Sequence, residues 1–190
     1  RGKKNPVVQK GRTSRHEAYF FGIKFVVLMV HWDVYRIPVD FCIVLPKGHP
    51  NYETENQLFR KMLRRFQPPA WAKIVVVIAD AAFASKDNMK LIKELDRLDQ
   101  NRRWGFVFAI ARTWNMENGK SLSNLVKHIP HQNFQRTWIP RLANETRRKT
   151  YWVYRKRTRL RHIGDVTIVL SKKGRNVCPK KTKILVTNLV

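Results

Sequence analysis

Six consecutive apolar residues, Ile74–Ala79, constrain the fold of this chain more than any other stretch. Most of them are β-branched, and such a run is typical of a strand buried on both faces of a mixed or parallel sheet. The run leads directly into Asp80, two alanines and Phe83. Sites of open α/β sheets lie beyond the carboxyl ends of strands, so Asp80 is a candidate functional carboxylate. Because aspartate also forms turns and caps helices, a purely structural role stays open.

The charge of the chain favours a polyanionic partner. Its 190 residues include 39 Lys and Arg against 13 Asp and Glu, a formal charge of +26. Such a charge attracts polyanions, so nucleic acid is the expected partner and an anionic membrane surface the second choice. The longest apolar run, residues 19–30, is short and contains Gly22 and Lys24. It cannot cross a bilayer, and no membrane association is expected.

The cysteines and the chain ends bear on compartment and completeness. Cys42 and Cys178 are far apart and form neither a zinc-binding pattern nor a disulfide framework, which favours a reducing cytoplasm. The chain begins at Arg1 without Met and stops soon after an apparent strand. We therefore expect an internal fragment of a longer protein.

The order of the predicted elements indicates an α/β layer with an antiparallel edge and a parallel centre. A hairpin of two long strands comes first, then a helix, the strand before Asp80, a second helix and another apolar strand. Between Arg112 and Thr150 no strong period is visible, which predicts an insertion that is either partly β or a flexible excursion that binds substrate. The predicted divisions are 1–111 for the first part of the core, 112–160 for a basic and aromatic insertion, and 161–190 for the return strands.

Basic residues are concentrated in two places that we predict to bind nucleic acid. One face of the first helix is basic, and the segment that ends the insertion interleaves cations with aromatic rings, as single-stranded or distorted nucleic acid requires. A solvated edge hairpin with an aromatic core is the alternative. The predicted nucleic-acid-binding residues are Arg60, Lys61, Arg64, Arg65, Arg112, Arg147, Arg148, Lys149, Tyr151, Trp152, Arg155, Lys156, Arg157, Arg159 and Arg161.

Two further tryptophans of the insertion, Trp114 and Trp138, are open to two interpretations. They are either wedges that stack on bases or, more often in such segments, parts of a small satellite core.

Two-metal phosphoryl transfer requires several carboxylates close together, because each hard cation takes oxygen ligands. Asp80 is the strongest candidate. Asp33, Asp40 and Asp165 are more simply turn or strand residues. No glycine-rich phosphate loop, Ser-His-Asp set or zinc pattern is present in the sequence.

The order of elements, the Asp80-x-x-Phe83 step, the long insertion and the ending Ile184-Leu185-Val186-Thr187-Asn188 together resemble the catalytic domain of DDE transposases of bacterial insertion sequences. The similarity is to the branch with a β-rich insertion and covers nearly the whole chain. It implies an RNase-H-like mixed sheet with flanking helices and a partly β insertion.

The resemblance also implies a function for the complete protein. It makes Asp80 the second metal-binding Asp, with Mg, or Mn as a substitute, bound only in the complete protein. The first Asp would precede Arg1 and the catalytic Glu would follow Val190, so this chain would bind DNA without cutting it. The implied partners are transposon ends and target DNA, bound by a homodimer in the bacterial cytoplasm.

Two other interpretations remain from the residues alone. One is a non-enzymatic nucleic-acid-binding domain in which Asp80 is a structural cap. The other is a related nuclease or resolvase of the same fold.

Overall fold

The computed structural model describes residues 6–12, 19–138, 149–176 and 181–189, which form two compact units, Arg1–Pro68 and Pro69–Val190. Both strands and helices are present, so the predicted mixed α/β class is confirmed. The first unit contains β1 (Gln9–Arg12), β2 (Tyr19–Gly22), β3 (Lys24–Trp32), β4 (Tyr35–Val44) and α1 (Glu55–Arg65). The second contains β5 (Ile74–Ala79), α2 (Lys86–Leu98), β6 (Arg103–Ala109), α3 (Leu122–His128), a short 3-10 helix (His131–Asn133), β7 (Gln135–Trp138), β8 (Thr150–Leu160), β9 (Gly164–Lys172) and β10 (Lys183–Thr187).

The first unit is built on the predicted hairpin. Strands β3 and β4 pair antiparallel around a turn in which Asp33 adopts a left-handed conformation (φ 52°). Helix α1 begins with a capping box between Thr54 and Gln57, which satisfies backbone donors at its first turn. One face of the hairpin contributes Val26 and Val44 to the core. On the other face the large apolar side chains Phe25, Val27, Met29, Phe41 and Ile43 are exposed.

The second unit contains a six-stranded sheet in the order β5-β6-β10-β9-β8-β7. Only β5 and β6 are parallel, and every other neighbouring pair is antiparallel. The predicted parallel centre is therefore wrong. The reason is that β10 returns after the insertion and pairs antiparallel with β6, which leaves the parallel pair at one edge.

The sequence predicted that strand β5 is buried on both faces, and this prediction is wrong. Val77 is buried, but Ile74, Val76 and Ile78 are exposed, Ile78 by 76%. The cause is its place in the fold. Strand β5 is an edge strand, and its alternate residues on one face are open to solvent.

Cross-strand register separates the two faces of this sheet. One face, which we call the covered face, carries a row of cross-strand neighbours that consists of Ala79, Phe108, Val186, Ile168 and Lys156. The next row belongs to the face that we call the open face and consists of Ile78, Val107, Thr187, Thr167 and Arg157.

The core of the second unit lies on the covered face. Phe106, Phe108, Ile168, Leu170 and Val186 are fully buried there, and α2 packs against β6 and adds Met89 and Ile92. None of the described helices is both long and apolar enough to span a bilayer.

The insertion is partly β, which was one of the two predicted possibilities. It also contains helix α3, which was not predicted from the sequence. Ser121 caps α3 by accepting a hydrogen bond from the Asn124 backbone N–H, and Leu122 and Val126 are buried. The aromatic residues from Tyr151 to Tyr154 predict only a short strand, but β8 continues past Tyr154 through the whole basic run to Leu160.

Candidate nucleic-acid interface and the Asp80 edge

Asp80 lies directly after β5 and is exposed. Its Oδ1 accepts a hydrogen bond from the Ala82 backbone N–H at 2.9 Å, and its carbonyl accepts one from Phe83 N–H at 3.3 Å. Ser85 then caps α2 by accepting from Asn88 N–H. The carboxylate therefore has a structural role in the turn that uses one of its two oxygens.

The topology brings several of the predicted residues to the same end of the sheet as Asp80. Since β10 and β8 run opposite to β5, their first residues lie at this end, as does the last residue of β7. The residues placed there are Lys149, Tyr151, Trp152 and Trp138, together with Lys183. The row one residue past the Ala79–Phe108 pair, toward Asp80, ends at Arg155, and the row of Ile78 ends at Arg157. Arg159 and Arg161 lie farther toward the opposite end. The predicted site residues are therefore not one cluster.

Asp80 alone does not make a two-metal site. In the part of the chain that the structure describes, no group of three or more His, Cys, Asp or Glu side chains is arranged to hold a metal ion. Asp40 instead pairs with Arg65, and Asp165 pairs with Arg159. A divalent cation at Asp80 would need further carboxylates from outside the described residues.

Strand β8 distributes its basic residues over both faces of the sheet. Arg155, Arg157 and Arg159 lie opposite Val169, Thr167 and Asp165 of β9, on the open face. Lys156 lies opposite the buried Ile168, on the other face. The two-residue period of the strand therefore divides the basic run between the two faces.

The aromatic residues of β8 are divided in the same way. Trp152 and Tyr154 share the covered face with Lys156; Arg175 lies over the Trp152 ring at 5.7 Å and the Phe134 ring lies 5.8 Å from that of Tyr154. Tyr151 has the parity of the open face. Along β8 the cations and rings that are interleaved in the sequence are therefore distributed over both faces of the sheet.

The remaining tryptophans of the insertion differ from each other. Trp138 is 54% exposed, with the Arg136 guanidinium 4.4 Å from its ring centroid, so it is not part of a satellite core within the described residues. Trp114 is half-buried.

The basic face of α1 is partly neutralised by carboxylates. Lys61 forms an ion pair with Glu53 at 2.8 Å, and Arg65 contacts Asp40 at 2.6 Å. The hydrogen bond to Asp40 raises the pKa of Arg65 above its usual range. Arg60 is half-buried, and Arg64 is exposed. Arg64 is thus the cation of this face that is most available to a phosphate.

Other predicted residues have individual placements. Arg112 donates from Nη2 to the Thr182 carbonyl at 2.7 Å, which gives it a structural role between the insertion and β10. Arg161 lies in the exposed β8–β9 turn. Arg147 and Arg148 lie outside the described residues.

A positive field surrounds the β8–β9 turn, which sequence reasoning did not single out. Lys86 is the main cause of a lowered pKa at His162, followed by desolvation and then by Arg161 and Lys90. These cations come from α2 and the turn, which are distant in sequence. Only the fold could reveal that they act on one group.

Asn188, at the end of the motif that carried the family resemblance, has a clear structural role. Its Oδ1 accepts from Phe106 N–H at 2.8 Å, and its Nδ2 donates to the Trp104 carbonyl at 3.3 Å. The side chain continues the hydrogen-bond pattern of β6 beyond the end of β10.

No protein-family model matches this sequence, and none of the curated proteins compared with it is a significant match. Function is therefore inferred from the geometry and charge of the described residues.

Proposed function

We propose that this chain is part of the catalytic domain of a DDE-type DNA transposase and that its own activity is DNA binding. The observation that carries the proposal is the position of Asp80. It follows an apolar strand that pairs in parallel with the next one, and a capped helix follows, in a chain of charge +26. Carboxylates at this place in α/β sheets commonly belong to functional sites.

In the complete protein, Asp80 would supply one carboxylate to a divalent cation, Mg or Mn. Such a cation supplies Lewis-acid chemistry for phosphoryl transfer when it is bound. The oxygen of Asp80 that the Ala82 turn leaves unused is the one suited to this role. The basic residues would hold transposon-end or target DNA through phosphate contacts, which position a duplex independently of its sequence.

A second candidate function is a non-enzymatic nucleic-acid-binding domain. The hydrogen bond from Ala82 N–H to Asp80 Oδ1 favours it, because that bond accounts for the aspartate without any metal.

Two substitutions at Asp80 separate the candidates. Asp80→Asn keeps an oxygen that can accept from Ala82 N–H but loses the charge, whereas Asp80→Ala loses both. If Asp80 serves only this turn, Asp80→Ala should cost about 0.5–1.5 kcal/mol of stability, the usual net value of one hydrogen bond, and Asp80→Asn much less. If it is also catalytic, both variants of the complete protein should lose Mg-dependent strand cleavage while Asp80→Asn keeps its stability. Cleavage by Asp80→Asn at the parent rate would disprove the catalytic role.

The DNA-binding activity can be tested on this chain alone. Neutralising about six phosphates of a duplex should give a slope of roughly −5 for the logarithm of affinity against the logarithm of salt concentration. A nearly flat salt dependence would contradict electrostatic binding and with it both candidate functions.

A further inference from the structure

We propose that the open face of the six-stranded sheet binds one backbone of a DNA duplex along β8, and that Arg155 and Arg157 make the phosphate contacts. This inference rests on the proposed function, because it assigns a surface to the DNA that the chain is proposed to bind.

The spacing of the arginines fits a phosphate backbone. Arg155, Arg157 and Arg159 alternate along β8 and lie on one face, about 6.6 Å apart along an extended strand. This separation is comparable with that of successive phosphates along one nucleic acid strand. A guanidinium can donate two parallel hydrogen bonds to a phosphate, so each position can hold one phosphate group.

Two of the three arginines along β8 have a positive charge that is available to a phosphate. Arg155 and Arg157 are exposed and have no ion-pair partner among the described residues. Arg159 lies 3.1 Å from Asp165 and 3.5 Å from Glu117, which compensate its charge. Arg159 therefore marks the end of the phosphate-binding row.

The surroundings of Arg157 are polar. Thr167 lies opposite Arg157, and Thr187 lies opposite Thr167 on the next strand. A groove of about 430 Å³ borders Arg157, and its lining includes Thr167, Asn188 and Asp165, whose carboxylate pairs with Arg159. Hydroxyl groups donate to phosphate oxygens in many protein–DNA contacts, so this groove can support the same backbone.

The placement of the aromatic rings favours a duplex over a single strand. Proteins that bind single strands combine cations with rings on which bases stack. Here Trp152 and Tyr154 lie on the covered face, and Tyr151, which shares the open face, precedes Arg155 by four residues. The open face beside Arg155 and Arg157 thus offers phosphate contacts without a stacking surface, which suits a backbone whose bases stay paired.

The test compares two double variants that remove the same charge from opposite faces. One is Arg155→Gln with Arg157→Gln. The matched control is Lys86→Gln with Lys90→Gln, because both lysines lie on α2, which packs against the covered face, and neither belongs to the predicted DNA-binding residues. All four side chains are exposed, and both variants carry the same net charge. Binding is measured by fluorescence anisotropy with a duplex of about 20 base pairs and a single strand of equal length, at several salt concentrations.

The expected result follows from counterion release. Each lost phosphate contact reduces the salt slope by about 0.9, which corresponds to roughly 8-fold in affinity at 0.1 M salt. The arginine variant should therefore lose roughly 60-fold in duplex affinity and about 1.8 in slope. The lysine variant should lose little of either. Arg155→Lys with Arg157→Lys should keep the slope, which checks that the loss is due to charge rather than misfolding.

Several outcomes would overturn the inference. Equal losses in the two glutamine variants would mean that net charge alone matters, and a larger loss in the lysine variant would place the interface on the covered face. Tighter binding of the single strand by the parent would exclude the duplex. These results leave the proposed function standing, whereas a parent chain that binds no DNA overturns both.

Discussion

The two faces of the six-stranded sheet are made by alternate residues of the same strands, yet they differ in almost every property. The covered face is a close-packed row of Phe106, Phe108 and their neighbours. The open face changes across the sheet from exposed Ile78 on β5 to Arg157 on β8. Since a shift of one residue exchanges the faces, the identity of the buried residues depends on keeping the strand register.

We expect the largest difference in unfolding free energy between substitutions on the two faces at β5 and β6. Phe106→Ala removes a fully buried ring and should lower the free energy of unfolding by about 3–5 kcal/mol. Ile78→Ala removes a side chain that is 76% exposed and should change it by no more than about 0.5 kcal/mol. Urea unfolding of both variants gives the two values. Similar losses would mean that the open face at β5 is covered in solution.

The middle of the open face offers a second test, because Leu189 lies over Gly105 there. An ideal Cβ on residue 105 would overlap Leu189 Cδ2 and lie 2.6 Å from Leu189 Cγ, so Gly105→Ala must displace the leucine. We expect a loss of about 1–3 kcal/mol. In a Leu189→Ala background the same substitution should cost nothing or stabilise the strand. Additive effects in this double-mutant cycle would show that the two residues do not meet.

These contrasts indicate which parts of the fold were predictable from the sequence. The hairpin β3–β4, helices α1 and α2, and strands β5, β6 and β10 carry strong apolar periods or caps, and their existence was predicted correctly. Helix α3 was missed because it has only seven residues, although Ser121, Leu122 and Val126 mark its cap and apolar positions. The extent of β8 was missed because basic residues occupy both of its faces.

The candidate site was predictable in composition but not in arrangement. An apolar run identifies the strand before Asp80 without indicating that it is an edge strand, since that depends on how β10 returns. Likewise, a list of basic residues cannot say that Lys156 and Arg157 lie on opposite faces until the strand is known to continue. Pairing between distant segments supplied both facts.

Lys172 is a buried cation on the covered face. Lys172 is 3% exposed, and its Nζ lies 2.8 Å from His131 Nδ1 and 4.1 Å from the Phe134 ring centroid. Burial, followed by the charge of Arg175, lowers its pKa below the usual range. Lys172→Met should change stability at pH 7 by no more than about 1 kcal/mol, because the lost polar contacts are offset by removing a buried charge.

The pH dependence of the same variant is more specific. With a lowered pKa in the folded state, the unfolded chain binds the proton more tightly, so the stability of the parent rises with pH between the folded pKa and about 10.5. Lys172→Met should lack this rise. Urea unfolding between pH 7 and 11 measures it, and a parent–variant difference that does not vary with pH would contradict the assignment.

The smallest expected effect is at the start of β6, where a carboxylate fixes a residue of the covered face. Asp99 Oδ2 accepts from Trp104 Nε1 at 3.0 Å and from Arg102 Nη1 at 3.2 Å. The bond from Trp104 is the main cause of a lowered pKa at Asp99, with Arg102 adding to it. The folded state therefore favours the ionised carboxylate.

The contribution of the ionised Asp99 carboxylate to stability should be complete above the pKa of an aspartate in the unfolded chain, about 3.9. It should be lost as the pH falls through the lower pKa that Asp99 has in the folded state. Unfolding by urea from pH 6 to pH 3 should thus show a parent–variant difference for Asp99→Asn that shrinks only below about pH 4. Trp104→Phe keeps a buried ring but removes the indole donor, so it should remove the larger part of this acid dependence while Arg102 preserves the rest. An unchanged acid dependence in Trp104→Phe would assign the effect to Arg102 and would show that the covered face does not depend on this polar contact.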